Sequence, residues 1–212
     1  FTDMSIRQNI EILRKKIPDN VKLVCVSKLH STEEILEAYN AGERIFGENK
    51  VQELSAKHET LPKDIEWHFI GHLQTNKVKY IVPFVSLIHG VDTLKLLKEI
   101  DKAASKVSKV VNCLLQIHIA EEDTKFGFSE EELTEVLESA EMAELHNVNI
   151  CGLMGMATFT SNQNQVRKEF RQLKTLFDKL KSTYFADNNH FKELSMGMSD
   201  DYQIAIEEGS TM

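Results

Sequence analysis

Short apolar runs alternate with longer stretches of helical periodicity along the whole chain. The spacing of Ile6, Ile10 and Leu13 predicts a first helix over residues 5–16, which ends before Pro18. Seven apolar runs then have the length and composition of buried strands. These strands are predicted at VKLVCVSK (21–28), RIFGEN (44–49), IEWHFIGH (65–72), SLIHGVD (86–92), KVVNCLLQIHI (109–119), VNICGLMGMA (148–157) and FKELSMGMS (191–199).

A helix is predicted after each strand. Two helices begin at capping boxes, Ser31 with Glu34 and Ser129 with Glu132, and the second should run to about Leu145. The others are predicted from about Lys50, from about Thr75, and over 93–106, 162–182 and 200–208. Seven strand–helix units in succession imply a parallel sheet with right-handed crossovers.

Two architectures fit this order, an open doubly wound sheet and a (β/α)8 TIM barrel. No glycine-rich dinucleotide fingerprint follows the first strand, which favours the barrel. The expected fold is therefore α/β, a single barrel domain over residues 1–212 with an extra N-terminal helix. A barrel needs an eighth strand, and the chain stops at GSTM (209–212) where that strand should begin. We expect the sequence to be cut short there.

Composition removes several classes of function. The net charge is −8 and no block of basic residues occurs, which argues against nucleic acid as a partner. No apolar run approaches the roughly 18 residues of a membrane helix. Cys25, Cys113 and Cys151 each lie in an apolar strand-like run, which predicts buried free thiols in a reducing cytoplasm.

Polar residues recur at the carboxyl ends of the predicted strands, where barrel proteins place their sites. In chain order these ends carry Lys28, Asn49, His72, Asp92, His118, Met156 and the Ser195–Ser199 segment. Since strand side chains alternate, Lys28 should share a face with Val24 and Val26 and point into the barrel mouth. A partly desolvated lysine is a nucleophile for an aldehyde. The alternative is an ordinary solvated lysine at a strand end.

The SMGMS segment (195–199) is a second candidate. Backbone amides of a Gly/Ser turn between a strand and a helix can bind a phosphate, and barrel phosphate sites often follow strands seven and eight. The alternative is an ordinary turn in which Ser199 caps the next helix.

His68 and His72 are four residues apart, so a strand would place both on one face and a zinc pair is conceivable. No third ligand and no HExxH pattern accompany them, so structural or ring-contacting roles are favoured and no metal is expected. Glu48 has the opposite strand parity to Asn49 and should point into the helical layer.

Six segments in order resemble the YggS/PROSC family of pyridoxal-phosphate homeostasis proteins. They are VSKLHS (26–31), FGENKVQE (46–53), WHFIGHLQTNK (67–77), DTKFGF (123–128), GLMGMAT (152–158) and ELSMGMSDDYQIAIEEGST (193–211). The resemblance implies a barrel like the N-terminal domain of alanine racemase. It also implies that Lys28 holds pyridoxal 5′-phosphate (PLP) as an internal aldimine.

The same resemblance places Asn49, His72 and Met156 around the pyridine ring of the cofactor. It assigns Ser195, Gly197 and Ser199 to the phosphate region. The family continues after its GST segment with an Arg-x-Gly-Thr strand that completes the barrel and the phosphate site, and this sequence lacks that strand.

Three functions follow as hypotheses. The first is a cytoplasmic, monomeric PLP carrier without robust catalysis, whose partners are the cofactor and PLP-dependent apoenzymes. The second is a fold-type III PLP enzyme such as an amino-acid racemase, although such a racemase takes its second acid–base group from an additional β domain. The third is a metal-dependent hydrolase that uses His68, His72, Asp92 or His118.

Overall fold

The computed structural model describes residues 4–123 and 126–212. Its seven strands are all parallel and neighbour one another in chain order. They are β1 (Cys25–Val26), β2 (Ile45–Glu48), β3 (Glu66–Phe69), β4 (Leu87–Val91), β5 (Val111–Gln116), β6 (Val148–Met154) and β7 (Glu193–Ser195). Each strand lies within a predicted apolar run but is shorter than that run.

Helices connect the strands, as their alternation in the sequence predicts. They are α1 (Ile6–Lys16), α2 (Thr32–Asn40), α3 (Val51–Thr60), α4 (Leu94–Lys106), α5 (Glu130–Glu138), α6 (Ala140–Ala143), α7 (Gln163–Thr183) and α8 (Tyr202–Glu207), with a 3-10 helix at Thr75–Tyr80. Both predicted capping boxes are confirmed. The helix expected from Ser129 to Leu145 is two helices, because Ser139 ends α5 and its side chain caps α6.

The two faces of the sheet have different contents. Phe46, Trp67 and Phe69 belong to the large apolar core that the helices cover. Residues of opposite parity form a smaller inner cluster of Leu87, Leu114, Cys151 and Met154. The inner face therefore supports fewer apolar contacts and leaves room for polar side chains.

The sheet is curled, as contacts of Thr211 indicate. The Thr211 amide donates to the Leu194 carbonyl of β7, and the Thr211 carbonyl accepts from the Lys22 amide just before β1, each at 2.8 Å. One residue can bond to both edges only if the sheet curves round far enough to bring them together.

All seven strands end before the last residue of the predicted run, and the early ends of β1 and β3 decide where Lys28 and His72 lie. β1 stops at Val26 because the chain turns: the His30 amide donates to the Ser27 carbonyl at 3.0 Å, and Leu29 has a φ of 65°. β3 stops at Phe69. Lys28 and His72 therefore lie in the connections that follow these strands.

All three cysteines are free thiols. Cys113 and Cys151 are buried as predicted, whereas Cys25 is only half-buried because it lies on the short edge strand β1. Among the described residues, no helix combines the length and apolar character that crossing a bilayer requires.

Candidate functional site

A cavity of about 390 Å³ opens inside the curl between β1 and β7. Val26 lines it from β1, Val24 lines it from the residue just before β1, and Met156 lines it after β6. The whole Ser195–Ser199 segment lines it after β7. The cavity is within the size range of small-molecule sites and combines apolar walls with a few polar groups.

The Ser195–Ser199 segment, called the serine turn below, has open hydrogen-bond donors. Within the part of the chain that the structure describes, the backbone amides of Gly197, Ser199 and Asp200 have no protein acceptor. Unpaired backbone amides grouped in one turn form a site suited to an anion. The hydroxyl groups of Ser195 and Ser199 can add further donors.

The segment after the serine turn differs from the predicted capping arrangement. The N-cap of α8 is Asp201, so the interpretation of Ser199 as the helix cap is wrong. The Asp201 carboxylate accepts the Met198 amide at 2.7 Å, and burial raises the pKa of Asp201. A Cβ atom on Gly197 would lie 3.1 Å from the Tyr202 Cα, so the turn packs closely against α8.

A chain of buried hydrogen bonds supports the serine turn from inside the sheet. His68 Nδ1 lies 2.8 Å from His89 Nε2, and His89 Nδ1 lies 3.0 Å from Ser195 Oγ. His68 and His89 are buried on the inner face. The chain thus links β3, β4 and the end of β7.

Both histidines favour the neutral form in the folded protein. Burial lowers the pKa of His68 to about 4 and lowers the pKa of His89 well below its usual range. With neutral rings, only one hydrogen can lie between His68 and His89, so the direction of that bond fixes the direction of the bond to Ser195. The chain can therefore present Ser195 either as a donor or as an acceptor.

The Ser27–Leu29 segment, called the lysine turn below, follows β1. Lys28 is exposed, which corrects the expectation that it is partly desolvated, and it does not line the cavity. The reason is the early end of β1, which stops the strand alternation two residues before Lys28. The Ser27 amide nevertheless donates to the Gly47 carbonyl at 2.9 Å, so the turn stays beside β2.

Asn49 and His72 follow β2 and β3 and do not line the cavity. A Cβ atom on Gly71 would lie 2.6 Å from the Asn49 carbonyl oxygen, so glycine permits these two connections to approach. His72 is exposed and stacks on Phe126, with 4.1 Å between ring centroids. Lys28, Asn49 and His72 thus follow the carboxyl ends of three adjacent parallel strands, β1, β2 and β3.

The prediction that His68 and His72 share a strand face is wrong, because β3 ends at Phe69 and strand alternation does not reach His72. His68 contacts His89 inside the sheet, whereas His72 contacts Phe126 at the surface. Across residues 4–123 and 126–212, no group of three or more His, Cys, Asp or Glu side chains is arranged to hold a metal ion.

Comparison with known proteins gives concordant results. A family model described as the alanine racemase N-terminal domain matches residues 4–212. A pyridoxal phosphate homeostasis protein of Aquifex aeolicus is 45% identical over 192 residues, which cover 90% of this chain and 82% of that protein. This chain belongs to the pyridoxal phosphate homeostasis protein family.

Solved structures agree with this homeostasis family. PipY of Synechococcus elongatus, solved without PLP, has a TM-score of 0.90 and 35% identity, covering 98% of this chain and 95% of PipY. PipY with PLP bound has a TM-score of 0.87 at the same identity and coverage. The curled parallel sheet is therefore the alanine racemase-like half-barrel, with which the predicted TIM barrel is consistent.

Two residues near this site were not predicted from the sequence. His89 lies within an apolar run and shows its role only through its contacts with His68 and Ser195. Lys57, whose Nζ donates to the Ser27 carbonyl of the lysine turn at 2.7 Å, was also missed, although its i,i+4 spacing from Glu53 on α3 is a detectable signal. Of the DTKFGF motif, Thr124 and Lys125 lie outside the described residues.

Proposed function

We propose that this chain binds PLP covalently through Lys28 and takes part in PLP homeostasis without robust catalysis. The observation that carries the proposal is the cavity that a turn with unpaired backbone amides and apolar side chains line together, beside the strand that leads to Lys28. These donors fit a phosphate group, and the apolar walls fit a ring. The primary amine of Lys28 follows edge strand β1, on the other side of the cavity from β7. PipY, whose structure was solved with PLP bound, supports the same cofactor.

Each candidate residue has a role in this proposal. Ser195, Gly197 and Ser199 bind the phosphate with their amides and hydroxyls. Met156, Asn49 and His72 border the ring, the first from the cavity wall and the other two from the ends of β2 and β3. His89 keeps Ser195 oriented toward the cavity through the 3.0 Å contact with its Oγ.

The cofactor supplies an aldehyde, which condenses with an unprotonated amine and releases one water molecule. Lys28 provides that amine from an exposed position, where water or a second amine can reach the linkage and reverse it. An exposed linkage suits a carrier, since it permits release to an acceptor. A racemase also needs a positioned acid–base group against the substrate α-proton. The naming of relatives as homeostasis proteins supports the carrier over the enzyme.

The proposal extends to the eighth strand of the barrel, the N-terminal helix, the oligomeric state, the cellular location and the partners. We infer that Ser210–Met212 occupies the position of an eighth barrel strand, because Thr211 bonds to both β7 and the segment before β1. Helix α1 is then an addition to the (β/α)8 pattern, and residues 1–212 act as one domain. We further propose a monomer in the cytoplasm whose partners are PLP and PLP-dependent apoenzymes, a setting that the three free thiols support.

The proposal is tested by loading the protein with PLP and comparing it with Lys28→Ala. We expect the substitution to abolish the visible absorbance of the linkage and the adduct trapped by borohydride. Lys50→Ala removes another exposed lysine near this edge and should leave both signals unchanged. Sustained racemisation of an amino acid that disappears in Lys28→Ala would contradict the carrier and favour the enzyme.

A further inference from the structure

Three charged side chains form a compact cluster behind the lysine turn. Lys57 Nζ lies 2.9 Å from Glu48 Oε2 and 2.9 Å from Glu53 Oε2. Glu48 is fully buried and Lys57 is only 7% exposed, whereas Glu53 is partly exposed. These residues, called the anchor cluster, join the end of β2 to α3. The confirmed outward parity of Glu48 makes this contact with the helical layer possible.

The anchor cluster contacts the backbone on both sides of Lys28. Lys57 Nζ donates to the Ser27 carbonyl at 2.7 Å, and the Leu29 amide donates to the Glu53 carboxylate at 2.7 Å. The Ser27 hydroxyl also donates to Glu48. The residues before and after Lys28 are therefore both tied to one cluster.

The lysine turn has a backbone geometry that needs such support. Leu29 has a φ of 65°, a left-handed conformation that is uncommon for a residue other than glycine. Its side chain is 84% exposed, so apolar packing does not hold it there. The hydrogen bond from the Leu29 amide to Glu53 stabilises this conformation, together with the bond from the His30 amide to the Ser27 carbonyl that closes the turn.

Stability alone is a weak explanation for the anchor cluster. Desolvation of buried charges offsets much of their attraction, and well-packed neutral side chains are often as stable. A second ion pair, Arg14 with the buried Glu43, ties α1 to the start of β2 and touches neither turn. The anchor cluster differs because each hydrogen bond that its side chains make with residues outside the cluster joins it to Ser27 or Leu29 of the lysine turn.

We propose that Lys57, with Glu48 and Glu53, positions Lys28 for attachment of the cofactor aldehyde by fixing the backbone of the lysine turn. This inference rests on the proposed function. With both flanking residues fixed, the Lys28 amine searches only its own side-chain rotamers. A reacting group held near its productive position reacts faster than one on a mobile loop.

The first test replaces the buried pair by neutral side chains of similar size, Glu48→Gln with Lys57→Met. This double variant leaves no unpaired buried charge, and the matched control is Arg14→Met with Glu43→Gln. The rate at which PLP becomes trapped on Lys28 by borohydride, mapped by mass spectrometry, should fall about tenfold or more in the first variant and stay unchanged in the control. A rate within twofold of the unmodified protein would overturn the inference.

A second readout separates positioning from general damage. Inorganic phosphate should compete with PLP equally well in the double variant and in the unmodified protein, because the serine turn does not contact the anchor cluster. Parallel loss of phosphate competition and of Lys28 trapping would overturn a positioning role. If the unmodified protein forms no adduct on Lys28, the proposed function itself fails, which is a different result.

A third variant tests the contact with Glu53, with hydrogen exchange measured on the cofactor-free protein and Lys28 trapping measured after PLP is added. Glu53→Ala removes the acceptor of the Leu29 amide, whereas Glu53→Gln keeps an oxygen at that position. We expect faster hydrogen exchange of the Leu29 amide and slower Lys28 trapping in Glu53→Ala, with substantial recovery of both in Glu53→Gln. Unchanged exchange and trapping in Glu53→Ala would refute the proposed anchoring.

Discussion

The lysine turn and the serine turn follow the two edge strands of the curled sheet, and their polar groups are satisfied in different ways. In the lysine turn, the Ser27 carbonyl and the Leu29 amide bond to charged side chains of a largely buried cluster. In the serine turn, the amides of Gly197 and Ser199 have no acceptor among the described residues, and neither does the amide of Asp200 just after it. A reacting amine needs a fixed backbone, whereas an anion site must keep its donors open.

The largest expected effect on stability comes from breaking the support of the lysine turn. Lys57→Met leaves the buried Glu48 carboxylate without its ion-pair partner. Removing one partner of a buried pair typically lowers the free energy of unfolding by about 3–5 kcal/mol. Denaturant unfolding of the cofactor-free protein measures this change.

The double variant Glu48→Gln with Lys57→Met is the control, because it removes both buried charges and should lose much less stability. If the single and double variants were equally destabilised, the ion pair would not be the interaction that holds this turn to α3.

The next largest effect on the free energy of unfolding comes from the buried histidines that support the serine turn, and it depends on pH. Burial lowers the pKa of His68 to about 4, against about 6.5 in the unfolded chain. The unfolded chain then binds more protons between these values, so the free energy of unfolding falls as the pH drops from 6.5 to 4. The His68 contribution is on the order of 3 kcal/mol across this window.

His68→Gln should therefore flatten the pH dependence of stability between pH 6.5 and 4, as measured by denaturant unfolding at several pH values. His146→Gln, at an exposed position, is the matched control and should keep the original dependence. An unchanged slope in His68→Gln would mean that the buried histidine chain is not neutral in the folded protein.

The smallest effect is expected inside the serine turn itself. Ser195→Ala removes the hydroxyl that lies 3.0 Å from His89 Nδ1 and leaves the unpaired amides in place. The loss of one hydrogen bond is worth about 1 kcal/mol, so inorganic phosphate should compete with PLP about fivefold less well. Ser182→Ala, on α7, should not change this competition. Equal competition in both variants would remove Ser195 from the phosphate site.

The same comparison shows what could be predicted from the sequence. Alternation of apolar runs and helical periodicity predicts the order of the seven strands, because each strand must bury its residues against a helical layer. It does not predict where strands stop. Phe69 and His72 lie in one apolar run, yet β3 ends between them, where Gly71 comes close to Asn49 of another connection.

The candidate site was predictable where it depends on position along a strand. Val24 and Val26 line the cavity at and just before β1, and the serine turn lines it because it follows β7. Contacts between distant segments were not predictable. His89 and Ser195 are 106 residues apart, and no local pattern indicates their contact.

Mass spectrometry of the PLP-loaded, borohydride-reduced protein locates the attachment point of the cofactor. We predict the reduced cofactor on the peptide that contains Lys28, in an amount that inorganic phosphate diminishes. A cofactor found only on other lysines, or an adduct on Lys28 that phosphate does not affect, would contradict a site built from the lysine turn and the serine turn together.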